Sequence, residues 1–255
     1  MNPFDSLLEE LDRWNFDGQE ATLWWRDDDA AQVHPLLDQL LEILALWDVP
    51  ASLAVIPGKT EKALADTLAE HGNLEVLQHG ILHRNHAEEG QKKQELIILP
   101  GEDWQENLAS AWRKLSGLFG HRALPVLVPP WNRIDERMLP LLGSLGYRGL
   151  SCYGPRAFPQ TEGEVWIINT HVDLVDWKAG RQFVGEAVAL AQLISHLRAR
   201  REGLVDRAEP TGILSHHLVH GEDCFDFIRR LLGILDEHPA VTWLSATRVF
   251  QLRWR

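Results

Sequence analysis

Short apolar runs alternate with stretches of helical spacing along most of this chain. Runs rich in β-branched and aromatic residues read as strands at Ala21 to Trp25, Ala51 to Ile56, Leu74 to Gln78, Pro125 to Val128, Gly149 to Tyr153, Val165 to Asn169, Gly212 to Ser215 and Val241 to Leu244. Between them, apolar residues recur three and four apart, the period of one helix face. Leu36, Leu37, Leu40, Leu41 and Leu44 mark such a face between His34 and Trp47. Ala63, Leu64 and Leu68 mark a second; Leu108, Ala111, Trp112 and Leu115 a third; Leu231, Leu232 and Leu235 a fourth. Repeated βα units predict a parallel sheet covered by helices. Seven or eight such strands in 255 residues favour an α/β fold of the distorted (β/α) barrel type over a doubly wound sheet. With no internal repeat or linker, residues 1–255 read as one domain. One stretch breaks the rhythm: His83 to Trp104 is long and polar, with Leu96-Ile97-Ile98-Leu99 set inside it before Pro100-Gly101. An insertion after a strand end is where a barrel enzyme places a substrate loop.

Composition narrows the function classes. A net charge of -12 argues against nucleic acid and anionic membrane surfaces as partners. Neither GxGxxG nor GxxxxGK[ST] occurs, which counts against nucleotide-binding folds. The start Met1-Asn2-Pro3-Phe4-Asp5 lacks the basic and apolar regions of a signal peptide, so a cytoplasmic protein is expected. Cys152 and Cys224 are too few for a disulfide framework and read as buried thiols. The chain holds 11 Trp and 12 His, residues suited to stacking on sugar rings and to binding metal.

The polar residues that matter follow the strands. Arg26-Asp27-Asp28-Asp29 closes the first strand. Adjacent carboxylates repel, so such a cluster calls for a cation or a proton unless it only caps the following helix. His79 and His83 follow the third strand at a spacing that lets both meet one ion if the segment turns tightly. Pro129, Pro130, Trp131 and Asn132 follow the fourth, Asp173, Asp176 and Trp177 the sixth, and His216 and His217 the seventh. The C-terminal strand ends of a βα barrel meet on one face, where catalytic residues gather. Five of them carrying such residues points to a metal-dependent site there.

These residues, in this order, resemble the polysaccharide deacetylase (NodB-like) family of metal-dependent carbohydrate esterases, over roughly Leu23 to Leu218. The resemblance implies that Asp27 is the general base and Asp28 a metal ligand; a register one residue later, with Asp28 the base and Asp29 the ligand, is the alternative. It implies that His79 and His83 are the histidine ligands, and that Pro130, Trp131 and Trp177 shape the acyl pocket. His216, with His217 as alternative, would be the acid, oriented by Asp173 or Asp176. The family places an arginine that orients its base where this chain has Val128; Arg26 and Arg133 are the candidate replacements.

Two imidazoles and one carboxylate with room for water is the donor set of catalytic zinc, and Co2+, Ni2+ or Fe2+ also suit it. The expected reaction is removal of an N- or O-linked acetyl group from a carbohydrate or amino-sugar substrate, with a small molecule or oligosaccharide as the partner. Two rivals stand beside it: a hydrolase of small non-glycan amides, and a barrel that binds metal or sugar with its catalysis impaired by Val128.

Overall fold

A computed structural model describes residues 3–252. Its strands are β1 (Ala21–Ala30), β2 (Ala51–Val55), β3 (Leu74–His79), β4 (Ala123–Val128), β5 (Gly149–Leu150), β6 (Trp166–Ile167), β7 (Val172–Asp173), β8 (Val175–Asp176), β9 (Gln182–Phe183), β10 (Thr211–Ser215) and β11 (Val241–Trp243). The helices are α1 (Pro3–Phe16), α2 (Pro35–Leu46), α3 (Lys62–Leu68), α4 (Trp104–Phe119), α5 (Glu186–Glu202), α6 (Glu222–Asp236) and the short α7 (Ala246–Val249). The main sheet runs β6-β5-β4-β3-β2-β1-β10-β7, every neighbour parallel, with β11 alongside the start of β1. The α/β barrel expected from the βα rhythm is therefore the observed architecture.

One segment brings the sheet's two edges together. The Trp166 and Ile168 amides donate to carbonyls beside and within β5, whereas the His171 and Leu174 amides donate to carbonyls of β10. A single stretch of chain thus changes partner half-way along and curls the eight parallel strands into a distorted barrel. The alternation of β1 separates the core layers. Trp24 points into the barrel with Ala54, Leu77, Val126, Val128 and Phe250, while Leu23 and Trp25 pack outward against the helices.

Four features depart from the sequence reading, the first being the short strands β7, β8 and β9, which lie in a segment given no strand. β1 does not stop at Trp25 but continues through all three aspartates to Ala30. α5 was not expected, because its buried face carries His196 and Arg200 among Ala189, Leu190, Leu193 and Leu197, which breaks the apolar stripe. α1 was not expected either, although Leu7, Leu11 and Trp14 are buried at helical spacing. Cys224 is buried as read, and Cys152 is partly so. Among the described residues no helix is long and apolar enough to cross a membrane.

Candidate active site

A regular strand turns successive side chains to opposite faces. Along β1, Arg26 and Asp28 therefore follow Trp24 to the barrel side, and Asp27 follows Trp25 to the helix side. Asp27 is fully buried there. Its carboxylate accepts from Ser215 Oγ (2.7 Å), the His217 amide (3.0 Å) and His217 Nδ1 (2.5 Å). Burial pushes the Asp27 pKa up, but the charge and hydrogen bonds of His217 more than offset it, leaving the group below the usual carboxylate range. Beyond Asp27 the register with β2 shifts. Asp29 has φ 72°, a left-handed conformation that breaks the alternation and turns its carboxylate to the barrel mouth.

The three carboxylates part company in what they meet. Asp28 does not meet the histidines; Arg26 holds it with a two-pronged grip, Nε to Oδ1 at 2.8 Å and Nη2 to Oδ2 at 3.0 Å. Asp29 meets them instead: its Oδ1 lies 3.2 Å from His79 Nε2 and 3.1 Å from His83 Nε2. Asp27, turned to the other face and saturated by β10 and the turn after it, stands with neither group. Asp29, and not Asp28, is the carboxylate beside the two histidines. Arg26 also donates to Ser151 Oγ at 2.6 Å, Cys152 O at 3.2 Å and Asn132 Oδ1 at 2.8 Å, so the guanidinium is locked from several sides. Arg133 instead donates to the Lys93 carbonyl and takes no part.

Hydrogen-bond direction shows what the Asp29 trio can hold. His79 Nδ1 faces the Val128 carbonyl at 3.0 Å, and a carbonyl only accepts, so Nδ1 carries the proton. A neutral His79 then presents its Nε2 lone pair to a carboxylate oxygen at 3.2 Å. Two lone pairs face one another only around a cation, either a proton or a metal ion. Ligands about 2.1 Å from a tetrahedral zinc stand roughly 3.4 Å apart, close to the separations seen. Burial lowers the His79 pKa, but the Asp29 hydrogen bond and the charges of Asp28 and Asp29 raise it above its ordinary value. Asp29 is held low by His79 despite burial, and the His83 pKa is lowered, chiefly by burial.

A second trio, His171, His196 and Glu209, lies fully buried at the other end of β10. The same test excludes it. The Gly212 amide donates to His171 Nδ1 at 3.0 Å, so the proton of a neutral ring sits on Nε2 and leaves no lone pair for an ion. The two rings also stack at 3.4 Å with planes 14° apart, so their nitrogens run side by side and do not converge. The pair is a buried neutral unit with consequences for stability. Burial, aided by the charges of His171 and Arg200, pushes the His196 pKa down to about 2, and burial lowers that of His171. At His196 the unfolded chain takes up a proton below pH ~6.5 and the native state does not, so stability present above that pH is lost as pH falls. His196 is expected to contribute a slope of up to ~1.4 kcal/mol per pH unit between about pH 6.5 and 4.5, with His171 acting in the same direction. Urea midpoints for the parent and His196→Gln check this. The variant should show the shallower acid slope, and equal slopes would refute the assignment.

On the far side of the mouth, β10 ends in His216. Its ring meets the edge of Trp177 at 4.7 Å, its amide donates to His220 Nε2 at 3.2 Å, and its Nδ1 is buried without a hydrogen-bond partner. Asp173 does not bond it; that carboxylate accepts from Trp177 Nε1 (2.8 Å) and the Val175 amide (3.0 Å) and reaches His216 through its charge alone. Asp176 is a further correction. It caps the turn at Lys178 and Ala179, facing solvent, and orients nothing in the site. His217 is absorbed by Asp27, which leaves His216 as the one of the pair not held by Asp27. Trp131 lies against His83 with ring centroids 4.4 Å apart. Asp29, His83, Trp131 and Asn132 all have positive φ, a concentration of strained backbone at one mouth.

Two participants escaped sequence reasoning. Ser151 reaches Arg26 from the end of β5, and Glu95 comes from the long insertion. Neither carries a local pattern that would single it out.

No protein-family model matches the sequence, and no curated protein is detectably similar to it. Solved structures do match. A putative polysaccharide deacetylase from Mycobacterium smegmatis superposes with TM-score 0.60 at 14% identity, covering 92% of this chain and 90% of the other. The Bc1960 peptidoglycan N-acetylglucosamine deacetylase gives 0.59 at 16% identity, over 92% and 90% of the two chains. The fold is that of the polysaccharide deacetylases. Within this fold, a family 4 acetyl xylan esterase from Clostridium thermocellum, solved with a cobalt ion, matches at TM-score 0.51 and 15% identity over 91% of each chain. A CE4 family pseudoenzyme from Bacillus anthracis also shares it, so the polysaccharide deacetylase barrel by itself does not establish turnover. That question rests on the side chains.

Proposed function

We propose that this protein is a metal-dependent hydrolase that removes an N- or O-linked acetyl group from a carbohydrate or amino sugar. The observation carrying this reading is the convergence of Asp29, His79 and His83 next to an Asp28 gripped by arginine. The trio would hold a divalent ion, zinc first and cobalt, nickel or ferrous iron as alternatives. When bound, such an ion polarises an acyl carbonyl and acidifies a water. Asp28 is the base: the Arg26 fork fixes its orientation to take the proton of the attacking water. Arg26 thus does from β1 what the family arginine does from the position of Val128, which disfavours the impaired-barrel reading. His216 is the acid, placed across the mouth to protonate the leaving amine or alcohol. The Asn132 and Arg133 amides are used within their own turn, which leaves the Trp131 N–H to face the developing oxyanion. Trp131 and Trp177 wall the acyl methyl.

The direct test is acetate release from chitooligosaccharides, acetylated xylan and small N-acetylated amines, with and without added Zn2+ or Co2+. The expected result is metal-stimulated release from a glycan or amino sugar. Release only from the small amines would favour the non-glycan hydrolase. A zinc-loaded protein that releases acetate from none of them would overturn the proposal.

A further inference from the structure

We propose that Glu95, supplied by the insertion between β3 and α4, is a positioning residue for the metal centre; this rests on the metal reading above. Its carboxylate accepts three backbone amides: Ile81 at 2.9 Å on Oε2, Leu82 at 2.8 Å and Arg84 at 3.0 Å on Oε1. Leu82 and Arg84 flank His83, so one buried side chain grips the chain on both sides of a ligand. That grip is needed because His83 has φ 55°, a conformation a histidine does not hold unaided. Loop 80–84 is built around the carboxylate. A Cβ on Gly80, itself at φ 55°, would come 2.1 Å from Glu95 Oε2 and 2.5 Å from Pro130 Cγ. From the opposite side the Gly58 amide donates to the Ile81 carbonyl at 2.8 Å.

The grip is anchored in turn. Leu96, the next residue, is buried in a cluster with Leu108, Met138 and Tyr147, and its carbonyl accepts the Asp135 amide at 2.9 Å. A rigid path therefore runs from that core through Glu95 to the backbone of His83. The insertion acts here as the support for one metal ligand. Only a carboxylate serves all three amides, because both of its oxygens accept. A glutamine turns an NH2 toward at least one N–H, and an aspartate falls one methylene short.

The test is zinc affinity, measured on the full chain by competition with a chromophoric chelator, for the parent, Glu95→Gln, Glu95→Asp and the exposed insertion control Lys92→Ala. Removing a residue that orients a metal ligand weakens affinity by about 10–100-fold, and that loss is expected for Glu95→Gln. Its kcat at saturating zinc should stay within about three-fold of the parent, because the base and acid are untouched. Amide hydrogen exchange at residues 81–84 should quicken in the same variant. A merely structural role would lower thermal stability without separating zinc affinity from kcat. Should Glu95→Gln fail to fold, Glu95→Asp decides the matter. A folded variant of either kind whose zinc Kd stays within about three-fold of the parent overturns the proposal. Parent protein that takes up no zinc fails at an earlier stage, and identifies the metal reading itself as the error.

Discussion

Asp29→Asn is expected to strip the ion from the protein while Asp28→Asn leaves it in place. Among the described residues Asp29 is the one carboxylate whose oxygen faces both His79 and His83, and replacing it with an amide removes the charge that draws a cation into that gap. The loss in zinc affinity should exceed about a hundredfold, more than a residue acting only through another ligand commands, and acetate release should fall to background. Zinc content after dialysis and a competition titration give the answer without any substrate. Asp28 and Asp29 are neighbours in sequence, and each change swaps a carboxylate oxygen for an NH2 of similar size, so the pair isolates role from bulk. The reverse outcome, zinc lost with Asp28→Asn and kept with Asp29→Asn, would contradict the roles derived from the turn at Asp29.

For Asp28→Asn the expected loss is in turnover, about 10²–10⁴-fold in kcat, the size of a general-base contribution. The Arg26 fork would lose one charged partner but keep Ser151, Cys152 O and Asn132, so the guanidinium should stay in place. Substrate binding should change little, so the loss falls on kcat and much less on KM. Full zinc occupancy with kcat within about three-fold of the parent would exclude Asp28 as the base. Asp27→Asn offers a comparison within the same strand. It removes the acceptor shared by Ser215 and His217, the residues on either side of His216, so its effect should reach the acid side of the mouth and spare the metal.

The βα rhythm, the places of β1 to β6, β10 and β11, and the residues clustered at the ends of strands one, three, four and ten were legible in the sequence. Those depend on local periodicity and on which residue types interrupt it, and both are written along the chain. The pairing of His79 with His83 was legible for the same reason: two histidines four apart after a strand can meet if the segment turns tightly. The carboxylate roles were not. Period-2 alternation alone sends Asp27 and Asp28 to opposite faces, and nothing in Asp27-Asp28-Asp29 tells where the strand departs from it. That departure comes from a register shift against β2 and a left-handed φ at Asp29, both imposed by neighbouring strands.

The replacement for the family arginine was open between two candidates for a related reason. Arg26 and Arg133 each lie near a motif, and only the barrel interior determines that one reaches Asp28 while the other turns to Lys93 O. Glu95 had no local signal at all, because its partners lie 11 to 14 residues away on a loop whose path the barrel sets. By itself the sequence determined the architecture and the donor types available at its mouth, since both follow from patterning over a few residues. Only the tertiary structure decided which carboxylate faces the histidines, which arginine holds the other, and what supports His83. Those are matters of direction, and a side chain's direction is settled by the elements packed around it.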